Sequence, residues 1–192
     1  MQTITERVFQ LAPPGGLFDE TVIRNLFPDS SEGARALLVH RACQASEILR
    51  LKPGLFVLGP PYRKTEPHPF VVAAVLHAPS HISLESALAH HGLIPEAVYQ
   101  VSGVTLARSR EFSTPLGVFS FRRVPVSEPR AGVEAVAVAR NAWAFIASPL
   151  RAIADDVYLN KEITGPRWPG LPDRVAAHRG GRSSLALPQA AG

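Results

Sequence analysis

The sequence predicts an α+β fold in two parts. A small helical unit ending in a β-hairpin occupies residues 1–62, and a mixed α/β domain with an antiparallel sheet occupies 63–164. Three observations predict this. Apolar residues recur at helical spacing through the first segment. Alternating β-prone runs joined by Gly and Pro turns fill residues 97–147. Between them, "GPPYRKTEPHP" (59–69) carries four prolines and suits neither helix nor strand. A second shift at "TGPRWPGLP" (164–172) opens a basic tail, 165–192, which reads as disordered.

Taken in order, Ile4 to Leu11 reads as a short helix with Val8 and Leu11 on the side of Ile4, and "PPGG" (13–16) ends it. In "DETVIRNLF", Asp19 is the expected N-cap, with Val22, Ile23 and Leu26 on one face. A third helix follows in "PDSSEGARALLVHRACQA", capped by Ser30 or Ser31 with Glu32 in its first turn. Its expected inward stripe is Ala34, Leu37, Leu38, Ala42 and Ala45; the opposite face then presents Gly33, Arg35, Ala36, Val39, His40 and Cys43. "EILRLKPGLFVLG" supplies two β-prone runs around a Lys-Pro-Gly turn.

Three short helices followed by a hairpin make a winged helix-turn-helix. In that arrangement the third helix enters the major groove and the hairpin lies along the backbone. Arg35 then reads a guanine edge or a phosphate, while Ser30, Ser31, His40 and Arg41 lie on or beside the reading helix. Arg50 and Lys52 on the hairpin, with Arg63 and Lys64 behind it, suit phosphate contact.

In the second part, "PFVVAAVLHA" (69–78) is an apolar helix and "SLESALAHHG" (83–92) a helix started by Ser83 and closed by Gly92. "AVYQVSGVTLA" reads as a strand, and "REFSTPLGVFSFRRV" as a hairpin with Phe112 before its Pro-Leu-Gly turn and Phe119 and Phe121 alternating after it. "VEAVAVA" and "AWAFIA" are further strands, and "SPLRAIADDVYLN" is a helix with Ser148 as cap and Pro149 at its first position.

Charge is distributed unevenly. Residues 30–64 hold six basic side chains against two acidic ones, whereas residues 65–164 hold eight against nine. A basic patch on a near-neutral body is the footprint of a polyanion binder. The single cysteine, Cys43, excludes an intrachain disulfide and a cysteine-based zinc cluster. No apolar run suits a bilayer span and no signal peptide is expected, so a cytoplasmic protein is the expectation.

Chemistry-bearing residues cluster most densely in "SLESALAHHGLIPEAVYQV" (83–101). Ser86 and His90 share a face at i, i+4 spacing, and His91 falls with the apolar stripe of Leu84, Ala87 and Leu88. A nucleophilic serine also needs an orienting acid and oxyanion donors, and neither is evident. His77 and His81 have ligand spacing, but Pro79 between them breaks the helix and no third ligand is specified. Asp155 and Asp156 point about 100° apart on a helix, so one is expected to face solvent. No catalytic residue, cofactor or metal is therefore assigned. A metal-dependent nuclease or hydrolase using His90 and His91 is the alternative from another functional class.

The order of the winged helix, "LKPGLFVLGPP", "ISLESALAHHGLIPE", "TLARSREFSTPLGVFSFRRV" and "IASPLRAIADDVYL" resembles the AbiEi-type antitoxins of bacterial type IV toxin–antitoxin, abortive-infection systems. The resemblance spans roughly residues 15–162. It implies a DNA-binding transcriptional repressor that binds inverted repeats in its own promoter. It also implies an antitoxin that counteracts a nucleotidyltransferase-like toxin, typically without a stable complex. The DNA-contact role falls on residues 30–41 and 50–52, and a homodimer on DNA follows from the two-fold symmetry of inverted repeats. One departure stands out: the family's last helix continues into helical, acidic sequence, whereas "EITGPRWPGLPDRVAAHRGG" here is rich in Pro, Gly and Arg. A solitary regulator without antitoxin activity is the corresponding alternative.

Overall fold

The computed structural model describes residues 3–95 and 100–160. The expected tail and the opening residues of the "AVYQVSGVTLA" strand lie outside them. Helix α1 (Ile4–Leu11) starts in a capping box. Thr3 accepts from the Glu6 N–H, and the Glu6 carboxylate accepts from that of Thr3. Ile4 and Val8 are buried one turn apart, but Leu11 is exposed because the chain turns away through Ala12. Strand β1 (Leu17–Asp19) is too short to leave a periodic signal. It leads into α2 (Glu20–Leu26), where the Asp19 carboxylate accepts from the Val22 N–H. Helix α3 (Glu32–Gln44) is capped by Ser31, whose hydroxyl accepts from the Ala34 N–H.

Strands β2 (Ile48–Lys52) and β3 (Leu55–Leu58) form the expected hairpin around Pro53 and Gly54, the latter at φ +78°. Strand β1 adds to the far side of β3, giving an antiparallel sheet of order β1-β3-β2. The helices pack on it through Val8, Ile23, Phe27, Val39, Ala42 and Phe56. At the end of β3, Gly59 bonds to the Glu47 carbonyl, and a Cβ there would lie 2.2 Å from the Ser46 oxygen. Only glycine fits this approach.

The inward face of α3 differs from the expected stripe. Val39 and Ala42 are buried with Leu38 and Cys43 beside them, while Ala34, Leu37 and Ala45 are exposed. The helix carries two interleaved weakly apolar stripes. Val39 takes the core position because α3 rests that side against Val8, Ile23 and Phe27, which leaves Leu37 nearly half exposed.

The second part begins with α4 (Pro69–Leu76), whose N-cap is His68: its Nδ1 accepts from the Phe70 N–H. Strand β4 (Ser80–Ile82) and α5 (Leu84–His90) follow, then β5 (Gln100–Thr105) and the hairpin β6 (Arg110–Thr114) and β7 (Gly117–Arg123). A second hairpin, β8 (Val133–Ala139) and β9 (Ala142–Ala147), precedes α6 (Pro149–Leu159), which is capped by Ser148 as expected. The six-stranded sheet has order β6-β7-β5-β4-β9-β8. It is mixed rather than antiparallel, because β5 pairs parallel with β7 and β4 parallel with β9. The hairpins are antiparallel within themselves, but each docks its second strand beside a strand distant in sequence. Phe119 and Phe121 are both buried beneath it.

Candidate nucleic-acid interface

The residues expected to meet DNA divide into those held by the fold and those left in solvent. Arg35 belongs to the first group. Burial of Val39 carries it inward, and its Nη1 donates to the carbonyls of Phe27 (3.3 Å) and Ser30. The guanidinium thus closes the turn between α2 and α3 and neutralises carbonyls at the end of α2. Lys52 is also committed. Its Nζ donates to the carbonyls of Val75 (3.1 Å) and Leu76 (2.7 Å), capping the C-terminus of α4. Burial, and then the charge of Arg110, push its ammonium below the ordinary lysine value. Arg63 is almost wholly buried and donates to the Leu58 carbonyl and the Glu66 carboxylate.

Ser31 serves as the α3 cap, and Ser30 lends its carbonyl to Arg35. Lys64 is exposed, with its Nζ 5.1 Å from the Phe9 ring centroid. It lines a hollow with Pro13, Gly16 and Tyr62, apart from the face of α3.

The hairpin does not project. A two-residue turn leaves no loop to extend, and the Gly54 carbonyl accepts from the Glu20 N–H at the start of α2. The expected wing is therefore a packed strand pair whose tip abuts a helix.

What remains in solvent is a smaller set. Gly33, Leu37, His40, Arg41 and Gln44 are exposed on the outer side of α3. Arg50 is exposed on β2, its guanidinium 5.6 Å from the Phe56 ring centroid. Arg24 on α2 is exposed too, and lines a hollow with Arg35, Arg50, Glu20 and Glu32. Arg24 belongs to no motif of the sequence; its place beside buried Ile23 puts it on the polar side of that helix. Cys43, near Arg50, packs against the helical core, and burial pushes its thiol up despite that charge.

In the second part, the residues that suggested catalysis have structural partners. Ser86 lies in the core rather than on an outer face with His90. Its hydroxyl accepts from the Ser102 N–H (2.8 Å) and donates to the Gln100 carbonyl (3.4 Å), tying α5 to β5. His91 sits at the C-cap of α5, exposed rather than in the apolar stripe, with Nε2 2.9 Å from the Ala147 carbonyl. His90 is exposed and packs edge-on against Phe70 and His91. His77 Nε2 lies 3.1 Å from the Arg108 carbonyl.

Asp155 and Asp156 are both buried, contrary to the expectation that one faces solvent. Asp156 accepts from Asn160 at 2.7 Å. Asp155 gathers Ser83 Oγ (2.7 Å), Arg151 Nε (2.9 Å) and, at 3.6 Å, His81 Nε2. Burial raises the Asp155 carboxyl, but His81, Ser83 and Arg151 together outweigh it and hold it below the ordinary carboxylate value. Ser83 donates to the carboxylate rather than to an imidazole, so this is not a nucleophile–base relay. Among the described residues no three His, Cys, Asp or Glu side chains converge as a metal site requires. No described helix is long and apolar enough to cross a membrane.

Neither a known protein-family model nor any curated protein matches this chain.

Proposed function

We propose that the chain is a winged-helix transcriptional repressor and antitoxin of the AbiEi type, acting on DNA and not as an enzyme. The observation that carries this reading is the order α1-β1-α2-α3-β2-β3, in which α3 keeps its outer side, from Gly33 to Gln44, in solvent. A helix displayed in this way after a short turn is the element that reads a major groove. The contact set is revised from the sequence expectation. Arg41 and Arg50, with Arg24 beside Arg50, supply phosphate contacts, and His40 and Gln44 supply base-edge contacts. Arg35, Lys52 and Arg63 support this surface from within the fold.

Gel shifts on the DNA upstream of the gene test the repressor half. A shift that survives nonspecific competitor and weakens in Arg41→Ala/Arg50→Ala is expected; no retention of that DNA at low salt overturns it. Co-expression with a neighbouring nucleotidyltransferase-like reading frame tests the antitoxin half. Restored growth is expected, and unrelieved toxicity with intact promoter binding leaves a solitary regulator. A protein-docking reading draws on Leu37, nearly half exposed on the same face of α3. Loss of partner capture but not DNA binding in Leu37→Ser would favour it.

A further inference from the structure

A cavity of about 270 Å³ opens beside the Asp155 cluster, between the end of α4, β4, β5 and the loop before β8. Its walls are apolar: Val104, Leu106, Val124, Val126 and Phe145 line most of it. One end is different. His81 and Arg151 line it there, each with a side chain nine-tenths buried, and Arg130 stands at the exposed rim. No Asp or Glu is among the lining residues.

The Arg151 guanidinium is only partly satisfied. Nε donates to Asp155 and Nη1 to the Ala131 carbonyl at 2.6 Å, but Nη2 is buried and makes no hydrogen bond among the described residues. His81 Nε2 likewise falls short of hydrogen-bond distance. A buried charged donor without an acceptor is costly and rare. The Asp155 carboxylate accepts from Ser83 and from Arg151 Nε, which fixes Arg151 in place, and His81 Nε2 stays 3.6 Å from it; Arg151 Nη2 makes no hydrogen bond to it.

We propose that this cavity is a binding site for a small monocarboxylic acid with an apolar body. The carboxylate accepts from Arg151 Nη2 and His81, Arg130 adds long-range attraction, and the hydrocarbon portion lies against the valines and Phe145. The volume falls just below the usual range of about 300–1,000 Å³ for small-molecule sites, which suits a compact acid and not a nucleotide. The predominance of apolar wall sets a hydrocarbon-bearing acid above inorganic phosphate.

Calorimetric titration of the full chain with benzoate, isovalerate and hexanoate tests this, with benzamide and inorganic phosphate as controls. Saturable one-to-one binding of at least one acid, with Kd at or below about 1 mM, is expected. Benzamide and phosphate are expected to bind at least about tenfold more weakly than the best acid, the scale of one lost charge-assisted hydrogen bond. Arg151→Lys keeps the charge but removes the free donor and should weaken binding about tenfold. Because Arg151 also braces the fold, Ala74→Phe supplies a second variant: it fills the cavity from α4 and should abolish binding while circular dichroism stays native. Failure of all three acids to bind wild-type protein overturns the proposal. So does equal binding of benzamide, tighter binding of phosphate, or undiminished binding to folded Ala74→Phe.

Discussion

The two halves of the molecule use their buried charges in opposite ways. In the N-terminal unit, cations pair with the chain's own carbonyls: Arg7 with Leu26, Arg35 with Phe27 and Ser30, Arg63 with Leu58, and Lys52 across to Val75 and Leu76. Beyond residue 80, a buried arginine, a histidine and a serine gather instead around one carboxylate, Asp155. A small helical unit leaves helix-end carbonyls without partners, and long cationic side chains satisfy them while spreading their stems over the core. The lesson is that a count of Lys and Arg overstates the charge a surface offers to a polyanion. The two Arg and Lys residues that looked best placed for DNA, Arg35 and Lys52, are spent inside the fold.

The largest expected effect comes from breaking the carboxylate hub. Asp155→Ala strands Arg151 and Ser83 in a buried setting and should cost about 3–5 kcal/mol of unfolding free energy. Urea denaturation checks it; a loss under about 1 kcal/mol would mean that the cluster is incidental. Arg35→Ala should cost about 1.5–3 kcal/mol, because the turn carbonyls lose a charged donor. Were it instead to leave the melting curve unchanged while weakening DNA binding, the assignment of Arg35 to the fold would fail. Lys52→Ala should cost about 1 kcal/mol, the scale of a cation on a helix C-terminus.

The smallest effect is a pH dependence at α4. His68 caps that helix through an unprotonated Nδ1, and burial, then the nearby His90, holds its pKa below the ordinary imidazole value. As pH falls through about 6.5, the unfolded chain takes up a proton before the folded one does. Stability is therefore full above that pH and declines below it, toward the lowered folded value. A His68→Asn variant, which retains an N-cap acceptor, should show a shallower decline in thermal melts at pH 7 and 5.5.

Much of the fold was legible because it is local. Asp19, Ser31 and Ser148 cap the helices they were expected to cap, and the Pro53–Gly54 and β6–β7 turns fall where turn chemistry puts them. The parallel pairings of β4 with β9 and of β5 with β7 were not legible, since pairing between strands not joined by a turn leaves no local trace. The orientation of α3 was misread because alanines signal burial weakly; Val39 settles it only once α1 and α2 are in place. The Asp155 cluster was hidden for the same reason as the sheet order. Ser83 and Asp155 are separated by 72 positions.

The central claim is that the charge available to DNA lies on the outer side of α3 and on Arg50, with Lys52 serving the fold. Fluorescence anisotropy of a promoter duplex across a salt series tests it directly in the Arg41→Ala/Arg50→Ala and Lys52→Ala proteins. The double variant should flatten the slope of log K against log salt by about 1.8, the value for two lost phosphate contacts. Lys52→Ala should leave the slope unchanged and lower only the melting temperature. A flattened slope in Lys52→Ala with an unchanged slope in the double variant would contradict the account.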